Sequence, residues 1–363
     1  NFDSRSVACL HQQGVRNSLD GELRLFKGMY GMGHIFNKKM SSVPLQVGTQ
    51  YASIYRYSQL LARLRAGERV MMDGGIATEV ERRGVPMLPD AWNGGAALSH
   101  PKVLLGVHED YLRAGAEIII SNTFATSKHC LADAGEDKYF EAYNRRAIEL
   151  AIAARENVGL EDALVAGGIA YWSFTNQYPA SDVIVASAAE QASIMADAGA
   201  DCIVLEMMLD INRMLAILKA VKQSGLPVWV GLTVTECKPQ PKLMLGDSLS
   251  DAIDAVVAAG GVDVLHIMHT EVDDIEACLE VVRSRWGGIY GVYAHSSFWE
   301  VESDVFRGGK GQGKWKFHDV ISPVDYATAA RHWLDRGAQL IGGCCGTSPD
   351  HIAALHKHCG KRP

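Results

Sequence analysis

Short apolar segments alternate with longer amphipathic segments from about residue 58 to the end of the chain. The short segments are apolar throughout, as buried parallel strands are, and the longer ones repeat apolar positions every three or four residues, as helices packed on one face do. The pattern predicts eight strands, at residues 69–73, 117–121, 164–169, 201–206, 227–233, 262–268, 288–293 and 338–341. It predicts helices between and after them, at residues 101–114, 140–157, 186–198, 211–223, 249–259, 274–285, 323–335 and 349–358.

Several predicted helices end in glycine just before the next strand, as in LRAGAEIII and LDRGAQLIGG. Glycine adopts the left-handed conformation that ends a helix without a steric penalty. Eight parallel strands with right-handed crossovers close into a barrel. We therefore predict an α/β fold, a single-domain (β/α)8 TIM barrel over residues 58–363. The alternative is an open doubly wound sheet, but DGGIATEV after the first strand lacks the spacing of a dinucleotide fingerprint.

Residues 1–57 lack this alternation of apolar and amphipathic segments. The stretches HQQG, GMYGMG and FNKKM follow one another without a sustained helical or strand period of apolar residues. We predict an irregular N-terminal extension outside the fold. Its basic residues leave two interpretations open, a dispensable tail and a targeting segment.

The composition of the chain argues against membrane proteins, nucleic-acid-binding proteins and disulfide scaffolds. The chain has 363 residues, of which 48% are hydrophobic and 21% charged, and it contains no apolar run as long as a membrane-spanning helix. Its formal net charge of −7 gives no basic field for nucleic acid. Eight cysteines are too few for a disulfide scaffold and are expected to be reduced thiols in the cytoplasm. We expect small-molecule partners, no nucleic acid and no membrane.

The reactive face of such a barrel lies at the carboxyl ends of its strands. The residues that close the predicted strands are unusually polar. They are Asp73, Gly74 and Gly75, Ser121 to Thr123, Tyr171 and Trp172, Glu206, Thr233 to Glu236, His269, Tyr293 with His295, and Gly342 to Gly346.

Two adjacent thiols, Cys344 and Cys345, follow the last strand. Successive strand side chains point to opposite faces, so the backbone must bend for both thiols to act together, and the flanking glycines permit this. Neighbouring thiolates repel unless a cation lies between them, and sulfur ligands favour zinc. The alternatives are a vicinal redox disulfide, unrelated structural cysteines, and a phosphate-binding Gly-Gly loop, which the two thiolates disfavour.

Four segments together resemble the homocysteine S-methyltransferase family. They are DGGIATEVERRG at 73–84, SNTFATS at 121–127, LEMM at 205–208 and IGGCCGTSPDHIAAL at 341–355. The resemblance extends from about residue 58 to 358, and GGCCG is its most specific element.

The resemblance implies a methyl transfer from a small sulfonium or quaternary ammonium donor to the thiol of homocysteine, which gives methionine. It implies Zn²⁺ as the cofactor, held by Cys344, Cys345 and a third cysteine after the sixth strand. It places the substrate ammonium on Asp73 and Glu206, and the substrate carboxylate on backbone donors near Gly74 and Thr123.

The chain departs from the family after the sixth strand, where Gly-x-Asn-Cys is replaced by His266-Ile267-Met268-His269. His269 is the expected third ligand, since neutral imidazole binds zinc, and His266 is the weaker alternative. Tyr293-Ala294-His295 replaces Tyr-Pro-Asn. These changes leave open a different thiol acceptor, a corrinoid protein as methyl partner, and a non-catalytic relative.

Aromatic residues of the strand-end loops are candidates for binding a methylated onium group by cation–π contact. Trp172, Tyr293 and His295 are the pocket candidates that adjoin the polar strand ends. Other aromatic candidates are Phe174, Tyr178, Phe298, Trp299 and Trp315. The long segment at 298–315 is a candidate lid or homo-oligomer interface.

Overall fold

Eight parallel strands form the central sheet of the computed structural model, which describes residues 45–296, 299–300, 314–315 and 320–360. The strands are β1 (Val70–Met71), β2 (Ile118–Ile120), β3 (Leu164–Ile169), β4 (Cys202–Met208), β5 (Val228–Leu232), β8 (Val264–Met268), β9 (Ile289–Tyr293) and β12 (Leu340–Ile341). Their order in the sheet is β1-β12-β9-β8-β5-β4-β3-β2. A parallel bridge between Met72 and Ile118 brings the two ends of this order together.

The predicted (β/α)8 barrel is therefore confirmed. Each sheet strand lies within or overlaps a segment that the apolar pattern predicted, and most of their residues are buried, as expected for strands covered on both faces. Two short antiparallel pairs lie outside the barrel sheet: β6 (Val234–Glu236) with β7 (Lys242–Leu243), and β10 (Trp299–Glu300) with β11 (Lys314–Trp315).

Helices follow the strands. They are α1 (Leu45–Arg65), α2 (Ile76–Arg82), α3 (Ala96–Ser99), α4 (Pro101–Arg113), α5 (Lys128–Asp133), α6 (Phe140–Val158), α7 (Ser181–Ala198), α8 (Ile211–Val221), α9 (Leu249–Ala258), α10 (Ile275–Arg285), α11 (Pro323–Asp335) and α12 (Pro349–Cys359). No helix in the described part of the chain is long and apolar enough to cross a membrane. Left-handed glycines follow α6 and α7 directly, at Gly159 and Gly199, which lets the chain turn into the next strand.

The predicted boundary between residues 57 and 58 falls inside α1, and the unit that holds the barrel begins at Ser53. The Tyr57 hydroxyl donates to Asp263 at 2.8 Å, and Arg56 pairs with Asp201 at the same distance. Both carboxylates come just before strands, so this part of α1 lies at the amino ends of the strands. Residues 1–44 lie outside the described residues, as do most of the candidate lid at 298–315 and the side chains of Phe298, Trp299 and Trp315.

Candidate metal and substrate site

Three predicted ligands meet at the carboxyl end of the barrel. His269 directly follows β8, and Cys344 and Cys345 lie in the turn after β12. These two strands flank β9 in the sheet, so their ends are close. The Nδ1 atom of His269 is 3.6 Å from each sulfur, and the two sulfurs are 3.8 Å apart.

This triangle fits a tetrahedral metal ion. Metal–sulfur bonds of about 2.3 Å and a metal–nitrogen bond of about 2.0 Å at tetrahedral angles place two sulfurs about 3.8 Å apart and each sulfur about 3.5 Å from the nitrogen. The observed separations agree with both values. Within the described residues, His269, Cys344 and Cys345 form the one cluster of three or more side chains that could hold a metal ion. Three protein ligands leave a fourth position for a substrate.

The two thiols have opposite pKa shifts. The pKa of Cys344 lies well below its usual value, chiefly because the Cys345 thiol hydrogen-bonds to its sulfur, and His269 adds to the effect. Burial and the neighbouring Cys344 raise the pKa of Cys345 well above its usual value. The pair therefore shares one negative charge by itself, and a divalent cation is needed to hold both as thiolates.

Close packing of two glycine turns holds the thiols in place. A Cβ on Gly75 would lie 2.6 Å from the carbonyl oxygen of Cys344, so only glycine allows the two turns to approach this closely. Thr347 joins them, because its hydroxyl accepts from the Gly75 amide at 3.0 Å and donates to the Cys344 carbonyl at 2.6 Å. The Cys344 amide also donates to the Ala294 carbonyl at 2.9 Å.

The three metal-ligand candidates line a cavity with a volume of about 140 Å³. Asp73 and Glu206 line this cavity too. Both carboxyl groups are buried, and burial raises the pKa of each well above its usual value. Asp73 accepts a hydrogen bond from the Ile120 amide at 2.7 Å, which orients it. No cationic side chain lines this cavity among the described residues. A bound ammonium group would supply the missing countercharge.

The two predicted backbone donor positions differ in their placement. Gly74 lines the cavity, and a Cβ there would lie 2.8 Å from the ring of Tyr111. Thr123 is not among the cavity-lining residues: its amide donates to the Ser121 carbonyl at 2.8 Å and its hydroxyl to the Gly168 carbonyl at 2.7 Å. It ties the end of β2 to β3, while its neighbours Asn122 and Phe124 line the cavity.

Four aromatic side chains form one wall of the cavity: Trp92, Phe124, Trp172 and Phe174. Phe174 lies at their centre, with ring centroids 6.2 Å from Trp92, 6.5 Å from Phe124 and 6.4 Å from Trp172. Trp92 also packs in one apolar cluster with Cys345. Trp172 and Phe174 were candidates from the sequence, whereas Trp92 and Phe124 were missed. Tyr178 lies apart and packs against Tyr171 and Arg213.

Three further predicted residues, Tyr293, His295 and His266, lie near the metal-ligand candidates. Tyr293 lines the cavity, and its buried hydroxyl has no hydrogen-bond partner within the described structure. His295 is not among the lining residues: its Nε2 lies 2.9 Å from the Glu271 carboxylate, and its ring is 4.8 Å from that of His269. His266 lies fully buried between Trp229 and Tyr293, and burial lowers its pKa to about 3. It is not part of the ligand cluster.

Comparison with known proteins decides the family. Residues 70–359 match the family model described as homocysteine S-methyltransferase. The chain belongs to the homocysteine S-methyltransferase family. This confirms the resemblance seen in the sequence and makes the protein a methyltransferase of that family.

Relatives in this family match nearly the whole barrel. Homocysteine S-methyltransferase 2 of Zea mays is 25% identical over 82% of this chain and 92% of its own length. The selenocysteine Se-methyltransferase of Brassica oleracea var. italica is 25% identical over 86% of this chain and 95% of its own. The S-methylmethionine–homocysteine S-methyltransferase BHMT2 of Pongo abelii is 27% identical over 82% of this chain and 80% of its own.

A solved member of the family has the same fold. The homocysteine methyltransferase MmuM of Escherichia coli in its metallated form superposes with a TM-score of 0.67 at 24% identity, covering 82% of this chain and 98% of that one. The fold of the family is therefore that of the barrel described above.

Proposed function

We propose that this protein transfers a methyl group from a small sulfonium or quaternary ammonium donor to the thiol of homocysteine, using zinc held by His269, Cys344 and Cys345. The observation that carries the proposal is the triangle of one imidazole nitrogen and two sulfurs, with sides of 3.6, 3.6 and 3.8 Å, opening onto a cavity that also holds Asp73 and Glu206.

The donor set favours zinc among divalent ions, since two thiolates and a neutral imidazole match its preference for sulfur and nitrogen ligands in tetrahedral geometry. When bound, Zn²⁺ would lower the pKa of the substrate thiol and hold it as a thiolate at the fourth position. The need for reduced ligand thiols agrees with the proposed cytoplasmic setting.

The buried carboxyl groups would select the acceptor. Homocysteine brings an ammonium group into a cavity whose lining contains two carboxyl groups and no cation in the described residues, so Asp73 and Glu206 gain their countercharge only when it binds. The glycine turn at Gly74 and the strand end at Asn122 line the cavity and supply backbone to approach the carboxylate. Together these contacts orient the thiol toward the metal ligands.

The aromatic wall would bind the methyl donor. A positively charged onium group is attracted to aromatic faces, and Trp92 packs against Cys345, so a donor on this wall lies next to the thiolate position. In the transfer, the acceptor sulfur forms a bond to the methyl carbon while the donor's bond to that carbon breaks. The thiol proton goes to solvent, and the donor leaves as a neutral thioether or amine.

His269 changes the charge of the site. Zn²⁺ with two thiolates and a neutral imidazole sums to zero, whereas three thiolates sum to −1, so a substrate thiolate would be held more tightly and react more slowly. This favours a second candidate function, methylation of a different thiol or of a selenol at the same position.

The test is a purified, zinc-loaded enzyme assayed with homocysteine, cysteine and selenocysteine, each with S-methylmethionine, betaine and S-adenosylmethionine. We expect methionine formation with at least one donor and the highest kcat/KM for homocysteine. Faster methylation of another acceptor would favour the second candidate. Absence of product with every pair, in a protein that binds zinc, would contradict both.

A further inference from the structure

A second pair of cysteines lies away from the cavity. The Sγ atoms of Cys237 and Cys278 are 3.9 Å apart, and neither residue lines the cavity. No part of the proposed reaction uses them. Each thiol therefore has another thiol within reach, which is the arrangement that thiol–disulfide exchange requires.

The two cysteines differ in their exposure to solvent. Cys237 directly follows β6 in the hairpin that β6 and β7 form, and it is half-buried between the exposed residues Glu236 and Lys238. Cys278 lies in α10 and is buried. An oxidant can therefore reach Cys237 first, and Cys278 is placed to attack its sulfur from within.

A disulfide needs a small movement. The bond length is about 2.0 Å, so the sulfurs must approach by about 2 Å. The hairpin loop can supply this, because its neighbouring residues are exposed and the Cys237 thiol is otherwise held by a long contact of 3.8 Å to the Asp274 carbonyl.

Within the described residues, this pair lacks a third ligand for a metal ion, since it belongs to no cluster of three metal-binding side chains. Burial raises the pKa of both thiols, so exchange is expected to be slow at neutral pH and faster under alkaline conditions.

We propose that Cys237 and Cys278 are a reversible disulfide-forming pair that tethers the β6–β7 hairpin to α10 when the protein meets a disulfide oxidant such as oxidised glutathione. The Cys237 thiolate attacks the oxidant's disulfide and releases one reduced glutathione. The Cys278 thiolate then attacks the Cys237 sulfur and releases the second. Two protein thiols lose two electrons and the oxidant gains them, with both thiol protons passing to the released glutathione.

The tether would act on the cavity wall. The hairpin continues into Met244, which lines the cavity, and the Met244 amide donates to the Thr233 carbonyl at 3.3 Å. A disulfide between Cys237 and α10 would therefore restrict the motion of the segment from Thr233 to Met244 by fixing it at Cys237.

The experiment treats the full chain, loaded with zinc, with oxidised glutathione at pH 8, followed by alkylation and tryptic mapping. The reporter peptides are residues 223–242 and 243–283, whereas Cys344 and Cys345 share the separate peptide 337–357. Cys237→Ser and Cys278→Ala serve as matched controls, checked for folding by circular dichroism.

We expect the two reporter peptides to become linked, to separate again with dithiothreitol, and to stay unlinked in both variants. Amide hydrogen exchange in residues 233–247 should slow by at least about threefold in the oxidised wild type and remain unchanged in Cys237→Ser. Full alkylation of both thiols after oxidant, a persistent glutathione adduct on Cys237, or exchange rates that do not change would each overturn the proposal. None of these readouts depends on methyl transfer, so failure here leaves the proposed function untouched.

Discussion

Two cysteine pairs with nearly the same sulfur separation have different surroundings. Cys344 and Cys345 are 3.8 Å apart and share the His269 Nδ1 atom, whereas Cys237 and Cys278 are 3.9 Å apart and share no imidazole in the described part of the chain. The pKa of Cys344 is lowered by its neighbours, while burial raises the pKa of both members of the other pair. Proximity of two sulfurs therefore does not define a metal centre.

The third donor and the open cavity make the difference. The first pair opens onto a cavity with buried acids and an aromatic wall, and the second pair lies between a hairpin and a helix. Substitutions in the two pairs should therefore differ in their effects on zinc content and activity.

Removing one sulfur from the metal-site pair should abolish function. Cys345→Ala leaves one thiolate and one imidazole, too few to hold the ion, and we expect kcat/KM to fall by at least about 10³-fold. Zinc content measured by mass spectrometry should fall with it. Cys237→Ser is the matched control and should retain its zinc and at least half of the activity. Full zinc content in Cys345→Ala would contradict the assignment.

Replacing the imidazole tests the third donor. His269→Ala should weaken zinc affinity by more than about 100-fold, measured by competition with a chelator. His269→Cys restores a third soft ligand and should keep the ion. If His269→Ala binds zinc as tightly as the wild type, another group completes the site.

Glu206→Gln tests the buried carboxyl groups of the cavity, which lie beside Cys344 and Cys345 and not beside Cys237 and Cys278. Losing a charge-assisted hydrogen bond should raise KM for homocysteine by about 10- to 100-fold, with a smaller change in kcat. The carboxyl pKa is raised by burial, and only the carboxylate attracts the ammonium group. In the wild type, KM should therefore rise as pH falls through this raised pKa, and the variant should lose the part of that dependence that Glu206 contributes, keeping only the part from Asp73, whose pKa is also raised by burial. A KM profile with the same pH dependence in both proteins would argue against the role.

Trp172→Leu tests the aromatic wall and should have the smallest effect. Losing one cation–π contact should raise KM for the methyl donor by about three- to tenfold, while KM for homocysteine changes little. Trp172→Phe should retain part of the affinity. Equal changes in both KM values would indicate a general disturbance of the cavity.

Much of this arrangement follows from local signals in the sequence. The strands were predictable because buried parallel strands are short and apolar on both faces. Asp73, Glu206, His269 and the Cys344–Cys345 pair were singled out because each ends or follows a predicted strand where barrels carry their chemistry, and the family resemblance implied their roles. The structure brings all five to one cavity or its metal cluster.

The rest depends on contacts between distant segments. Trp92 lies in the loop after α2, and nothing local shows that it packs against Cys345. Thr123 was expected at the substrate, yet its hydrogen bonds to Ser121 and Gly168 are used within the barrel. The segment from Ser53 to Tyr57 gave no strong pattern, because its burial depends on ion pairs and hydrogen bonds with residues that precede distant strands.

The most direct test of the metal centre is X-ray absorption spectroscopy at the zinc edge of the zinc-loaded protein, before and after addition of homocysteine. We predict two sulfur ligands at about 2.3 Å with nitrogen or oxygen ligands at about 2.0 Å, and a third sulfur when homocysteine is bound. A spectrum with only nitrogen and oxygen ligands, or a sulfur count that homocysteine leaves unchanged, would contradict the account.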